Sequence, residues 1–152
     1  MTPYDLASRF RGQVKERPGA EQHPLIQWMH SLCSLGYDQP DEVPWCSSFV
    51  NMVAWLLRLP RSKSAAARSW LEVGIPIPLE RAEVGWDVVI FARGEGPQPG
   101  PDVIRAPGHV GFYAGREGDL ILVLGGNQGN DVTLRHYSSL KLLGVRRLTG
   151  VV

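Results

Sequence analysis

Pro44-Trp45-Cys46-Ser47-Ser48-Phe49-Val50-Asn51-Met52-Val53-Ala54-Trp55 is the stretch around which the chain is organised. Proline lacks an N–H and has a fixed φ, so it suits the first turn of a helix and not its interior. After Cys46 the apolar side chains fall at Phe49, Val50, Val53, Ala54, Leu56 and Leu57. Steps of three and four residues press one face of a helix into a core. The spacing predicts a buried helix, with Trp55 and Met52 in the core, that runs to about Leu59 and is closed by Pro60. Cys46 then stands at the mouth of that helix. Unpaired backbone N–H groups and the macrodipole there favour a thiolate and lower the cysteine pKa. Two small residues, Ser47 and Ser48, leave room for an approaching group. An arbitrary buried cysteine is more often simple packing, so the rest of the chain has to decide.

The chain has 152 residues, enough for one domain with a single core. We expect a helical part over about 1–75 and a β part over about 85–150. Hydrophobic content of 43% with 20% charged residues is ordinary for a globular protein. A formal charge of +1 gives no electrostatic footprint for nucleic acid. No apolar run reaches the roughly 18–20 residues that span a bilayer, so no membrane insertion is expected. Met1 to Leu25 has basic residues but no apolar h-region, so no Sec signal peptide is expected. If the protein acts outside a cytoplasm, it gets there by lysis, a phage particle or a specialised secretion route. Cys33 and Cys46 make no disulfide framework, and a bridge between them would silence Cys46 as a nucleophile.

In chain order, Tyr4 to Val14 reads as a short helix ending at the Pro18-Gly19 turn. Leu25 to Leu35 reads as a second, with Cys33 on its packing face and Gly36 as its stop. Asp38 to Pro44 is a loop carrying Asp41 and Glu42. Ser62 or Ser64 can cap a third helix, Ala65 to Val73, which ends at Gly74. Short β-branched and aromatic runs follow at Asp87–Phe91, His109–Tyr113, Leu120–Leu124, Val132–His136 and Val145–Leu148, separated by Gly- and Asn-rich turns. Helices first and an antiparallel sheet of about five strands after is the α+β pattern. Gly94 to Pro107 is a surface loop, a rim or lid. Arg68, Trp70 and Leu71 read as core packing, with Trp70 also able to line a cleft, and Arg146-Arg147 as a solvated strand surface.

A cysteine nucleophile needs a base, and the base needs an orienting group. Of four histidines, His109 differs from His23, His30 and His136 because it opens a strand straight after the Pro107-Gly108 turn. The next strand ends in Gly125-Gly126-Asn127-Gln128, which brings amides beside that point. Asn127 is placed to accept the imidazole Nδ1–H and fix the tautomer. Cysteine on a helix followed by histidine on a sheet is also the order of papain-like peptidases.

These residues resemble the CHAP-type cysteine, histidine-dependent amidohydrolases/peptidases within the NlpC-like cell-wall peptidases, and most of all a small phage-associated branch. The pattern is carried by Trp45 to Asn51, Ala65 to Leu71, Gly108 to Tyr113 and Leu124 to Gln128. Glu16-Arg17-Pro18-Gly19 and Pro24-Leu25-Ile26 resemble that branch's N-terminus. The departure is Gly85-Trp86-Asp87, where relatives commonly have Pro-Gly-Asp.

The resemblance implies a papain-like/CHAP-type α+β fold with the nucleophile at a helix N-terminus. It implies Cys46 as nucleophile, His109 as base and Asn127 as the third polar residue, with Gln128 as the alternative. Trp45, Ser47, Gln128, Asp41 and Glu42 are the expected substrate-binding residues. Asp41 and Glu42 stand near enough in sequence to engage a stem-peptide amine, although a solvated loop is the favoured reading for both. The implied reaction is hydrolysis of a peptidoglycan amide with neither cofactor nor metal, in an endolysin, a tail-associated lysin or an antibacterial effector. The Cys46 N–H and one further donor would hold the oxyanion. The stem peptide is the expected partner and a monomer the expected state, with a phage structural or immunity protein as the protein partner. A zinc hydrolase is disfavoured because no paired-ligand spacing is present. A non-catalytic cell-wall binding or structural module is the alternative, though such a module has no need of a thiol at a helix mouth.

Overall fold

The computed structural model describes residues 1–16, 23–33 and 44–149. The expected Pro18-Gly19 turn, the Gly36 helix stop and the loop residues Asp41 and Glu42 lie outside the described residues. Three α-helices come first: α1 (Pro3–Ser8), α2 (Pro24–Ser31) and α3 (Cys46–Leu56). A 3₁₀ helix at Ala67–Glu72 leads into β1 (Ile75–Ile77), β2 (Asp87–Ala92), β3 (Gly108–Glu117), β4 (Leu120–Gly125), β5 (Thr133–Ser138) and β6 (Leu142–Arg147). The strands form one antiparallel sheet in the order β1-β6-β2-β3-β4-β5. The chain is α+β, as helices followed by β-rich runs predict.

The two faces of the sheet follow from strand alternation. Val88 and Ile90 of β2 and Val110 and Phe112 of β3 turn towards α3 and are fully buried with Phe49, Val50, Met52 and Val53. Phe49 meets both Phe10 and Phe112 edge-on, with ring centroids 6.1 and 6.3 Å apart. Burying one such aromatic is worth about 1.5–3 kcal/mol. Val89, Phe91, Tyr113, Ile121, Val123 and Val145 make a smaller cluster on the other face. His109 alternates with Val110 and Phe112 and so shares the Tyr113 side, away from the helices.

Several local expectations are corrected. A Thr2–Asp5 capping box starts α1 at Pro3, and the helix gives way to turns after Ser8, well short of Val14. α3 stops at Leu56 because Arg58 takes a left-handed φ of 56°, and Trp55 is 46% exposed, packed edge-on against Trp28. The third helix is a 3₁₀ segment of six residues, not an α-helix over Ala65 to Val73. Gly74 follows it at φ 78°, where a Cβ would stand 2.6 Å from the Arg147 carbonyl oxygen. β1 brings the strands to six; Pro76 hides it in the sequence and is tolerated because β1 is an edge strand.

Arg146-Arg147 is no solvated surface. Arg147 donates from Nε and Nη2 to the two oxygens of buried Asp87 (2.7 and 2.9 Å), and Arg146 Nε donates to the Leu71 carbonyl (2.9 Å). Asp87 also accepts the Glu83 N–H at 2.7 Å, so the Gly85-Trp86-Asp87 turn is held at both ends. The 94–107 loop is likewise tied down. Arg68 is fully buried and donates to the carbonyls of Pro107 (3.0 Å), Pro99 (2.8 Å), Gly100 (2.8 Å) and Val103 (3.2 Å).

Candidate active site

α3 presents Cys46 at its first residue, and a buried polar network fixes that start. Ser47 Oγ donates to the Ser64 carbonyl (2.6 Å) and accepts from Trp70 Nε1 (2.9 Å). Asn51, one turn on, donates to the Ser47 carbonyl (3.0 Å), and its Oδ1 accepts the Lys63 N–H (2.9 Å). Buried polar groups tied in this way specify one geometry, because each would be costly unpaired. On the other side, Trp45 and Phe49 pack so closely on Gly126 that a Cβ there would stand 2.7–2.8 Å from their atoms. Helix α3 is thus locked to the turn after β4.

The same turn carries the histidine's partner. His109 Nε2 and Gln128 Oε1 are 2.8 Å apart. Gln128 Nε2 donates to the carbonyls of Thr133 (2.8 Å) and Val123 (3.2 Å). Carbonyls only accept, so the amide nitrogen must face them and the amide oxygen must face the ring. Nε2 of His109 therefore carries the proton and donates it to Gln128, which leaves the lone pair on Nδ1. Thr133 Oγ1 closes the loop by donating to the Gln128 carbonyl at 2.8 Å. Gly125 makes the space: a Cβ there would lie 2.7 Å from Gln128 Oε1 and 3.5 Å from His109 Nε2. The Tyr137 ring stacks on the imidazole, with centroids 4.8 Å apart and planes 18° off parallel, and on Phe91 behind it.

Three observations bring Cys46 and His109 to the same end of β3. The Val110 backbone N–H, next to His109, acts on the Cys46 sulfur. Cys46 lines one cleft with Gly108 and Arg93, and His109 lines the neighbouring cleft, also with Arg93. Tyr137, stacked on His109, lies where a thiolate at Cys46 would raise its pKa. No hydrogen bond joins thiol to ring among the described residues.

Burial decides the electrostatics of the pair. It pushes the Cys46 thiol up, against the opposing pull of the Val110, Ser47 and Cys46 backbone N–H groups and the Arg93 charge. This corrects the expectation that the helix start alone leaves a low-pKa thiolate: desolvation of a sulfur only 2% exposed outweighs those N–H groups. Burial also lowers His109 to about 4, helped by Arg93 and opposed by Gln128. Tyr137 is pushed up to about 12, by burial first and then by Cys46. At neutral pH thiol, imidazole and phenol are all uncharged.

Of the residues expected from sequence, Cys46 and His109 line separate clefts that share Arg93 as a wall. The ring's hydrogen-bond partner is Gln128, not Asn127, and the nitrogen engaged is Nε2, not Nδ1. Asn127 takes the left-handed turn position (φ 58°), half-buried on the cleft wall, and the longer Gln128 reaches inward. Trp45 and Ser47 are fully buried, and among the described residues neither lines the clefts of Cys46 and His109. Trp45 Nε1 donates to Glu16 Oε1 at 2.7 Å, and both residues brace the start of α3. Asp41 and Glu42 are outside the described residues. Sequence reading missed Arg93, Tyr137 and Gly125. For Tyr137 a signal existed: Thr133, Arg135 and Tyr137 alternate along one strand. For Arg93 there was none beyond its place at the end of a strand.

Among the described residues no three His, Cys, Asp or Glu side chains gather as a metal site, and no helix is long and apolar enough to cross a membrane. No protein-family model and no curated protein sequence matches the chain. Among solved structures it is similar to NlpC1 from Trichomonas vaginalis at 16% identity, over 90% of this chain and 47% of that one, with a TM-score of 0.38. The chain spans about half the length of that protein.

Proposed function

We propose that the protein is a cysteine amidohydrolase that cuts an amide bond of peptidoglycan. The observation that carries the reading is the chain from the Val123 and Thr133 carbonyls through Gln128 to His109, which leaves the imidazole lone pair on Nδ1, in a cleft that shares Arg93 with the cleft of Cys46 at its helix start. The peptidoglycan substrate rests on the resemblance of the Trp45–Asn51, Gly108–Tyr113 and Leu124–Gln128 segments to CHAP-type enzymes, as does delivery by a phage or a secretion system.

In this reading the Cys46 sulfur attacks the amide carbonyl while its proton passes to His109 Nδ1. The resting pair is neutral, so charge appears on sulfur only as the bond forms, where the Val110 and Ser47 N–H groups and Arg93 favour it. The imidazolium gives the same proton to the leaving amine as the C–N bond breaks, leaving a thioester on Cys46. Water then attacks the thioester, passes a proton through Nδ1 to the departing sulfur and restores the thiol. The cleft of about 360 Å³ lined by Pro44, Cys46, Ala66 and Pro107 supplies room on the sulfur side.

The test is digestion of purified Gram-negative and Gram-positive sacculi by wild type, Cys46→Ala and His109→Ala, with mass spectrometry of the released fragments. Release by the wild type alone identifies the bond and supports the reading. Binding of sacculi without release by any of the three proteins overturns it in favour of a wall-binding module.

A further inference from the structure

Three arginines outside the cleft are tied to named partners. Arg147 is held by Asp87, Arg146 by Leu71, and Arg68 by four carbonyls. Two arginines in the cleft are not so committed. The cleft of about 380 Å³ beside His109 is lined by Arg93, Arg135 and Lys141 and, among the described residues, by no acidic side chain. Lys141 Nζ donates to the Gly94 carbonyl at 3.1 Å. Neither Arg93 nor Arg135 has an ion-pair partner among the described residues. Arg135 projects from the same face of β5 as Tyr137 and lies against Gly129, where a Cβ would come 2.5 Å from its Nη2. Arg93 forms the shared wall of the His109 and Cys46 clefts.

Like charges gathered without counter-charge in a concave, half-enclosed site repel one another and attract an anion. Guanidinium groups in particular match a carboxylate in a bidentate fork. We propose that this cleft binds a free carboxylate of the substrate, carried by the residue next to the scissile amide, with Arg93 and Arg135 as its ligands. This rests on the amidohydrolase reading and narrows it. The enzyme then selects stem peptides whose carboxylates are free over those in which they are amidated. Asn127, on the same wall, is positioned to donate from its amide to the same group.

The experiment compares muropeptides with free stem-peptide carboxylates against the same material amidated with carbodiimide and ammonia. Wild type, Arg93→Gln and Arg135→Gln are assayed for kcat/KM on both. Binding of both preparations to Cys46→Ala is followed by calorimetry. The expected wild-type preference for the free carboxylate is roughly ten- to hundredfold, the discrimination that charge-assisted hydrogen bonds give. In each arginine variant that ratio falls towards one. Equal wild-type rates on the two substrates overturn the carboxylate site and leave the hydrolase intact. If neither is cut, calorimetry decides: tighter binding of the free-carboxylate form upholds the site while the hydrolase reading fails, and equal or absent binding overturns both.

Discussion

His109 and Gln128 are joined at 2.8 Å, and the glutamine, not the histidine, decides which ring nitrogen carries the proton. Two backbone carbonyls hold its NH₂, and the amide oxygen has nowhere to point but at Nε2. Gln128→Ala removes that control and strands the two carbonyls, a cost of about 1–3 kcal/mol in stability. Activity falls roughly 10²-fold, as when a catalytic group is displaced by about 1 Å. Nitrogen NMR of His109 reads the cause directly: one Nε2–H tautomer in the wild type, a mixture in Gln128→Ala.

The burial of His109 makes stability depend on pH. Its folded value of about 4 lies below the ordinary histidine value of 6.5, so the unfolded chain binds the proton more tightly. The stabilisation from this residue is complete above pH 6.5 and is lost as pH falls through 4. At 1.36 kcal/mol per pH unit the loss is about 3 kcal/mol. Denaturant melts at pH 7, 5.5 and 4 measure it, and a His109→Gln variant is expected to show a shallower decline over that window.

A raised thiol and a neutral imidazole predict slow alkylation. Iodoacetamide should modify Cys46 slowly at pH 6–7, at a rate that climbs with pH beyond 8. A resting thiolate–imidazolium pair would instead react fast and nearly independently of pH across that range. Peptide mapping separates Cys46 from Cys33, whose thiol burial also raises.

Adjacent glycines should fail differently. Gly125→Ala places a methyl against Gln128 Oε1 and His109 Nε2, so catalysis drops while the fold is largely kept. Gly126→Ala drives its methyl into Trp45 and Phe49, both fully buried, and should cost about 1–3 kcal/mol of stability. Paired melts and rate assays separate the two outcomes.

The α3 apolar stripe and the β-rich runs after residue 85 made the α+β architecture legible, because helical and strand periodicities are local signals. The places of Cys46 at a helix start and His109 at a strand start were legible for the same reason. The choice between Asn127 and Gln128 was not legible. It depends on which neighbour takes the left-handed turn position, and that is set by the packing of Gly126 on Trp45 and Phe49. The thiol's electrostatics failed for a related reason: a helix start is visible in sequence, whereas the burial of its first residue is a tertiary property. Arg93 reaches Cys46 and His109 only through the pairing of β2 with β3, which joins segments about twenty residues apart.

The most direct test of the central claim, that Cys46 attacks with His109 as its base, is to trap the acyl-enzyme. Wild-type protein is mixed with muropeptides, quenched in acid within milliseconds to seconds and mapped by mass spectrometry. The account predicts a hydroxylamine-sensitive thioester on the peptide containing Cys46, formed much more slowly in His109→Ala and absent in Cys46→Ala. Muropeptide cleavage at wild-type rate by Cys46→Ala, with no adduct on the wild-type enzyme, would contradict it.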